Sequence, residues 1–153
     1  MSRTLTQDVQ SAEGRYLTND ELMPLESYAQ TYSNRINTYL LIEKYADQLV
    51  AMALQQLAQT DQATVQQHGD LCRRDMGDVL RLSARAFLMD DPDDFRNFVL
   101  WMQNMVRAVK KEAQSARAYS TLQIIIQKHL PPECARSINA YLQQVIESLR
   151  SLA

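Results

Sequence analysis

The segment LCRRDMGDVLR, residues 71–81, decides the fold class and carries the strongest functional signal in the sequence. Its pattern predicts an α-helix over residues 69–89 that ends at an acidic run. Cys72 and Asp75 are three positions apart, so their side chains lie on neighbouring ridges of one helix face. A thiol beside a carboxylate on one face is a candidate site for holding a ligand.

The composition predicts a single all-α domain spanning residues 1–153. The 153 residues are 46% hydrophobic and 22% charged, which is typical of a globular chain. Only 3 glycines and 4 prolines are present, so few positions can break a helix. A domain of this length can bury about two-thirds of the surface that its unfolded chain exposes.

Charge and hydropathy argue against two classes of partner. The net charge of −2 and the pI of about 5.7 lack the basic footprint of a nucleic-acid-binding protein. No run of 18 apolar residues occurs, so no membrane span is expected. The first residues are polar and two cysteines are too few for a disulfide framework, so a cytoplasmic location is expected.

Motifs of the common enzyme classes are also missing from the sequence. It contains no glycine-rich phosphate loop, no serine elbow and no pair of histidines with metal-ligand spacing. The acidic run at residues 90–94 is interpreted as a helix start, with Asp91 as the N-cap and Pro92 at the first helical position. We therefore expect neither an enzyme nor a metal site.

The N-terminal part predicts a short amphipathic helix over residues 4–13, which Gly14 ends. Such a polar helix is expected to bury little of its surface against its own domain. Thr18 and Glu21 have the spacing of a capping box, which predicts the start of a second helix.

Apolar residues at spacings of three and four predict that this second helix runs to about Tyr45, with a bend possible there, and that another helix reaches Gln59. The glutamine-rich residues 60–70 are interpreted as a connector or a weak helix. Trp101 lies on an apolar helix face and is interpreted as core packing. Beyond the cysteine helix, further helices are predicted over residues 95–111, 115–130 and 133–149.

The cysteine segment also carries a family resemblance. The pattern Cys-x-Arg-Asp-Met at residues 72–76, followed by Leu80-Arg81, is similar to the chromophore helix of the phycobiliproteins, the bilin-binding branch of the globin superfamily. The segment GRYL, residues 14–17, resembles the same family. The resemblance implies a cyanobacterial protein with a globin-like, phycobiliprotein-type fold and an N-terminal helical extension over residues 4–30 that is used in assembly.

The resemblance implies a role for individual residues. In that family the matching cysteine forms a thioether to a linear tetrapyrrole (bilin), the matching aspartate accepts hydrogen bonds from pyrrole N–H groups, and the matching arginine pairs with a propionate. These positions are Cys72, Asp75 and Arg74 in this sequence. Arg73 or His68 is expected to help to hold the propionate. The expected ligand is phycocyanobilin or biliverdin.

The residue types suit such a ligand on chemical grounds alone. A thiolate can add to a double bond on ring A of a bilin, and the product is a stable thioether. A buried pyrrole N–H without an acceptor costs about 1–3 kcal/mol, and one carboxylate can accept from more than one N–H. A guanidinium group matches the planar carboxylate of a propionate better than an ammonium group does.

Two departures from the light-harvesting members bear on function. Those proteins have a longer loop before the cysteine, and they carry aromatic residues at the positions of Leu82 and Arg85. We therefore expect a non-antenna bilin-binding globin, a carrier, sink or sensor similar to the globins associated with bilin biosynthesis. A minor phycobilisome subunit and a pigmentless interaction module with the same fold are the alternatives.

The expected partners follow from the same resemblance. They are a linear tetrapyrrole, a second copy of the chain bound through the N-terminal helices within residues 4–45, and phycobilisome or bilin-biosynthesis proteins. Haem is disfavoured because the helix over residues 95–111 lacks an axial histidine. The only two histidines, His68 and His129, do not follow the proximal pattern.

Overall fold

The structure, a computed structural model, describes residues 3–151, with side chains from Leu5 onward. Within that range it contains seven α-helices and no strand, so the all-α prediction is confirmed. The helices are α1 (Arg3–Ser11), α2 (Asn19–Gln30), α3 (Tyr32–Ala58), α4 (Gln62–Met89), α5 (Pro92–Ala108), α6 (Glu112–His129) and α7 (Pro132–Arg150). No helix in this part of the chain is long and apolar enough to cross a membrane.

Two long helix pairs build the hydrophobic core. Helix α3 packs along α4, α6 packs along α7, and α3 also packs against α6, which joins the pairs. Burial of each large aliphatic side chain contributes about 1.5–3 kcal/mol to folding. The most deeply buried aliphatic side chains come from all four helices and include Ile42, Leu49, Val50, Leu80, Leu122, Ile126, Ile138, Leu142 and Ile146.

Two helix starts have the caps that the sequence predicts. At α2, Thr18 Oγ1 accepts a hydrogen bond from the Glu21 N–H (3.4 Å), and a Glu21 carboxylate oxygen accepts one from the Thr18 N–H (2.8 Å). At α5, a carboxylate oxygen of Asp91 accepts from the Asp94 N–H (3.2 Å), and Pro92 is the first helical residue. The capping box and the acidic helix start are therefore confirmed.

The bend considered at Tyr45 is wrong, because the chain breaks at Thr31 and α3 then runs without interruption to Ala58. The buried side chain of Arg35 explains the position of the break. Its guanidinium donates to the Tyr28 carbonyl (2.7 Å) near the end of α2 and lies 3.7 Å from the centre of the Tyr28 ring. A cation that satisfies terminal carbonyls stabilises a helix end at this position.

Of the two interpretations of residues 60–70, the helix is correct for residues 62–70 and the connector is short. Helix α4 begins at Gln62, because Asp61 acts as an N-cap whose carboxylate accepts from the Thr64 N–H (3.3 Å). The turn between α3 and α4 therefore occupies only residues 59–61, and most of the glutamine-rich segment is helical.

The short N-terminal helix buries little, as predicted: of its described side chains only Leu5 is buried, and Ala12, just after the helix, is buried as well. The prediction for Trp101 is wrong. Trp101 is 59% exposed and lies on the outer face of α5 instead of in the core. An apolar pattern does not separate a core face from a surface face when one helix carries apolar residues on both sides.

The Leu80→Ala substitution should lower the free energy of unfolding by about 2–5 kcal/mol, because it removes a fully buried side chain where α4 packs in the core. Leu100→Ala is the matched control, since Leu100 is 52% exposed and its loss should change the free energy by less than about 0.5 kcal/mol. Urea unfolding followed by circular dichroism measures both values. Equal effects would contradict the packing described here.

Candidate functional site

The position of Cys72 is set by a change in burial along α4. Residues 62–71 include no buried side chain, whereas Met76, Val79 and Leu80 are buried in the core. Cys72 lies between these two parts, and its half-buried side chain packs against the edge of the core. The thiol is therefore shielded on one side and can be reached from the other.

Asp75 lies one turn further along α4 and is exposed. Its carboxylate oxygen lies 3.6 Å from Nε of Arg74, and the Arg74 and Asp75 side chains are 71% and 55% exposed. An ion pair this exposed contributes little to stability, at most about 1 kcal/mol. Both side chains are therefore free to take another partner at small cost.

The two auxiliary residues suggested by the sequence lie on the same helix. His68 is half-buried one turn before Cys72, and Arg73 is exposed. Neither forms an ion pair with another residue of the described part of the chain. The described residues also contain no group of three or more His, Cys, Asp or Glu side chains placed to hold a metal ion.

Two residues that the sequence did not single out complete the surroundings of Cys72. Lys111, the residue before α6, and Tyr119 on the second turn of α6 both interact electrostatically with the Cys72 region. The sequence offered only weak signals for them. Lys111 is the last residue of the helix predicted over residues 95–111, and Tyr119 lies on the apolar face of the helix predicted over residues 115–130.

The groups around Cys72 have opposite effects on the pKa of its thiol. Partial burial raises the pKa of the Cys72 thiol above its ordinary value, the negative charge of Asp75 raises the pKa further, and the positive charge of Lys111 lowers it. The net effect is a raised pKa, so the protonated thiol dominates at neutral pH. Because the thiolate is the reactive form, Cys72 by itself is a slow nucleophile.

Tyr119 is almost completely buried, with 5% of its surface exposed. Burial raises the pKa of the Tyr119 hydroxyl well above its usual range, and the charges of Asp75, Cys72 and Asp78 act in the same direction. The hydroxyl makes no hydrogen bond to any residue in the described part of the chain. A neutral donor without a partner thus lies beside the thiol and the carboxylate.

Further along α4, Arg81 is held by the protein itself. Its guanidinium donates to a carboxylate oxygen of Asp47 on α3 at 2.8 Å. Gly77 leaves room for this contact, since a Cβ atom there would lie 3.1 Å from Nη1 of Arg81. Arg81 therefore connects α4 to α3. Arg73 and Arg74, the other arginines of the cysteine segment, form no ion pair with another helix in the described part of the chain.

An all-helical fold with a thiol–carboxylate pair at the core edge of α4 is the class of structure expected of bilin-binding globins. A profile of the phycobilisome protein family matches residues 8–149. The chain belongs to the phycobilisome protein family, whose fold is globin-like and all-α. Members of the family are pigment-binding structural proteins that bind bilin chromophores. No individual curated protein matches the chain at a significant level.

Asp75→Asn should lower the pKa of Cys72, because it removes a negative charge that disfavours the thiolate, and Lys111→Gln should raise it. The pH dependence of Cys72 alkylation by iodoacetamide, followed by mass spectrometry of the Cys72 peptide, reports this pKa. The rate should rise about tenfold per pH unit below the pKa.

Asp70→Asn and Lys110→Gln are the matched controls, since neither charge acts on Cys72. Their midpoints should equal that of the unmodified protein. The description of the site would be wrong if Asp75→Asn left the midpoint unchanged or if the two variants moved it in the same direction.

Proposed function

We propose that the protein binds a bilin, phycocyanobilin or biliverdin, through a thioether at Cys72 and acts as a non-antenna carrier, sink or sensor in bilin metabolism. The observation that carries this proposal is the half-buried Cys72 at the edge of the core with the Asp75 carboxylate beside it on the same helix. A bound bilin supplies a chromophore that absorbs visible light. The protein contributes attachment, orientation and restriction of movement.

The fit of Asp75 and Tyr119 to this ligand supports the proposal. Asp75 offers carboxylate oxygens that can accept hydrogen bonds from pyrrole N–H groups, and its exposed ion pair with Arg74 costs little to give up. The Tyr119 side chain is 5% exposed, and its hydroxyl makes no hydrogen bond within the described part of the chain but keeps contact with solvent. The hydroxyl is therefore available to donate to, or accept from, a ligand that lies beside Cys72.

The cations around the site suit a ligand that carries two propionates. Arg74 is assigned to one propionate, with Arg73 or His68 assisting, and all three lie on α4 within two turns of one another. Lys111, just before α6, adds a further cation, and its positive charge acts on Cys72. A propionate held by Lys111 would lie next to the thiol that carries the thioether.

The raised pKa of Cys72 bears on how the thioether forms. In the addition, the thiol sulfur bonds to one carbon of an exocyclic double bond and the thiol proton is transferred to the other carbon, so no oxidant is needed. The reacting form is the thiolate, which is scarce at neutral pH. Attachment without a lyase should therefore be slow at neutral pH and faster under alkaline conditions.

The non-antenna role rests on Leu82 and Arg85, which stand where the light-harvesting members have aromatic residues. Leu82 and Arg85 lie on α4 itself, where Leu82 is half-buried and Arg85 is exposed. Neither side chain supplies an aromatic ring for the pigment. We also propose a cytoplasmic location, which the free thiols of Cys72 and Cys134 support.

Expression in bacteria that make biliverdin or phycocyanobilin tests the attachment. After denaturing electrophoresis, the unmodified protein should show zinc-induced fluorescence, and Cys72→Ala should abolish it, because the only proposed covalent anchor is lost. Cys134→Ala is the matched control and should fluoresce like the unmodified protein, since Cys134 is buried at the start of α7.

The remaining outcomes separate the alternatives. A coloured native protein with a dark band on the gel would contradict the thioether but keep bilin binding. A protein that is colourless in both hosts would contradict the proposed function and favour a pigmentless interaction module. Co-purification with phycobilisome rods would favour a minor antenna subunit instead.

We also propose that the chain forms a homodimer through its N-terminal helices. Helix α2 buries none of its residues within the chain, so its apolar side chains, including the exposed Met23, have no core to join. Val9 and Tyr16 add further exposed apolar surface from the preceding segment. Contiguous exposed apolar surface is typical of an interface.

Met23→Glu should shift the protein from dimer to monomer in equilibrium sedimentation, because it places a charge on the proposed apolar interface. Deletion of residues 1–17 should do the same, although it also removes the buried Leu5 and Ala12. Glu26→Gln on the same helix is the matched control and should leave the mass unchanged. An unchanged mass for both Met23→Glu and the deletion would exclude this interface.

A further inference from the structure

A long groove runs along α3 on a part of the surface that the pigment site does not use. It consists of three pockets of about 810, 290 and 580 Å³ that follow one another. The first two pockets share Leu41 and Pro131, and the second and third share Met52 and His129. We call this continuous depression the α3 groove; its other walls come from the end of α6 and the start of α7.

The α3 groove combines an apolar floor with free amide groups. Leu41, Leu49, Met52 and Leu130 line its middle section. The amide side chains of Gln48, Gln55, Gln56 and Gln59 line it as well, and none of them hydrogen-bonds to another side chain or backbone group in the described part of the chain. A row of side-chain amides can donate to and accept from the backbone of an extended polypeptide.

Positive charge exceeds negative charge in the α3 groove, although the whole chain has a net charge of −2. Lys44 and Lys128 line the groove, and Glu133 is the acidic side chain among its walls. Neither lysine forms an ion pair with a described residue. Two cations without counter-charges favour an acidic ligand.

The dimensions of the α3 groove favour a peptide over other acidic ligands. From Asn34 to Gln56 the groove follows α3 for roughly 33 Å, at 1.5 Å per residue. This length fits an extended segment of about ten residues at roughly 3.3 Å each. Two lysines are too few for a nucleic acid, whose binding depends mainly on many phosphate contacts.

We propose that the α3 groove binds an extended acidic peptide segment of another protein. The apolar floor takes alternate side chains of the segment, and the glutamine amides bind its backbone. Lys44 and Lys128 pair with its carboxylates. This inference goes beyond the pigment-binding function and does not depend on it, because Cys72, Asp75 and Lys111 do not line the groove.

A displayed library of random twelve-residue peptides, selected against the full chain, tests the proposal. The enriched sequences should combine acidic residues with spaced apolar ones. In fluorescence anisotropy, the best labelled peptide should bind at least fivefold more weakly to Lys44→Glu/Lys128→Glu, which turns two attractive charges into repulsive ones. Replacing the acidic residues of the peptide by their amides should weaken its binding to the unmodified protein by a similar factor.

Arg107→Glu/Arg117→Glu is the matched control, since it reverses the same number of exposed charges away from the groove and should leave peptide binding unchanged. Enriched peptides without acidic residues, or equal binding to the groove variant and the unmodified protein, would overturn the proposal. It would also be overturned if Lys44→Glu/Lys128→Glu changed the sedimenting mass, because the groove would then be an interface between copies of this chain. The Cys72→Ala variant should bind the peptide normally, whatever its pigment content.

Discussion

The change from exposed to buried surface along α4 is the constraint on which the candidate site depends. Packing of Met76, Val79 and Leu80 in the core fixes the axis and rotation of the helix, and with them the direction in which Cys72 points. A cysteine at position 76 would be enclosed in the core, as Met76 is. A cysteine at position 71 would be exposed, as Leu71 is, and the core would restrict an attached group less.

The half-buried position of Cys72 also creates its chemical problem. Burial and the Asp75 charge both disfavour the thiolate, and only the Lys111 charge opposes them. The carboxylate that suits the ligand's N–H groups therefore makes the nucleophile less reactive. A site arranged in this way favours a stable product over a fast reaction, which fits a protein that holds a ligand better than one that turns it over.

The sequence predicts the local parts of the structure well and the parts formed by distant residues poorly. Thr18 with Glu21, and Asp91 with Pro92, act within one helical turn, so spacing alone reveals them. The break at Thr31 depends on Arg35 reaching back seven residues to Tyr28, which no periodicity records. Likewise Cys72 and Asp75 are paired by their spacing, whereas Lys111 and Tyr119 reach them only through the packing of α6.

Helix α6 also determines how the pigment site and the α3 groove relate to each other. Tyr119 lies near its start and His129 at its end, about ten residues or roughly 15 Å apart along one helix. Its buried side chains, Leu122, Ile125 and Ile126, anchor that stretch in the core. Since Cys72, Asp75 and Tyr119 do not line the groove, a peptide bound there would leave the residues of the pigment site uncovered. The two proposed activities can therefore operate at the same time. A carrier needs this property if it holds its pigment while it is docked to another protein.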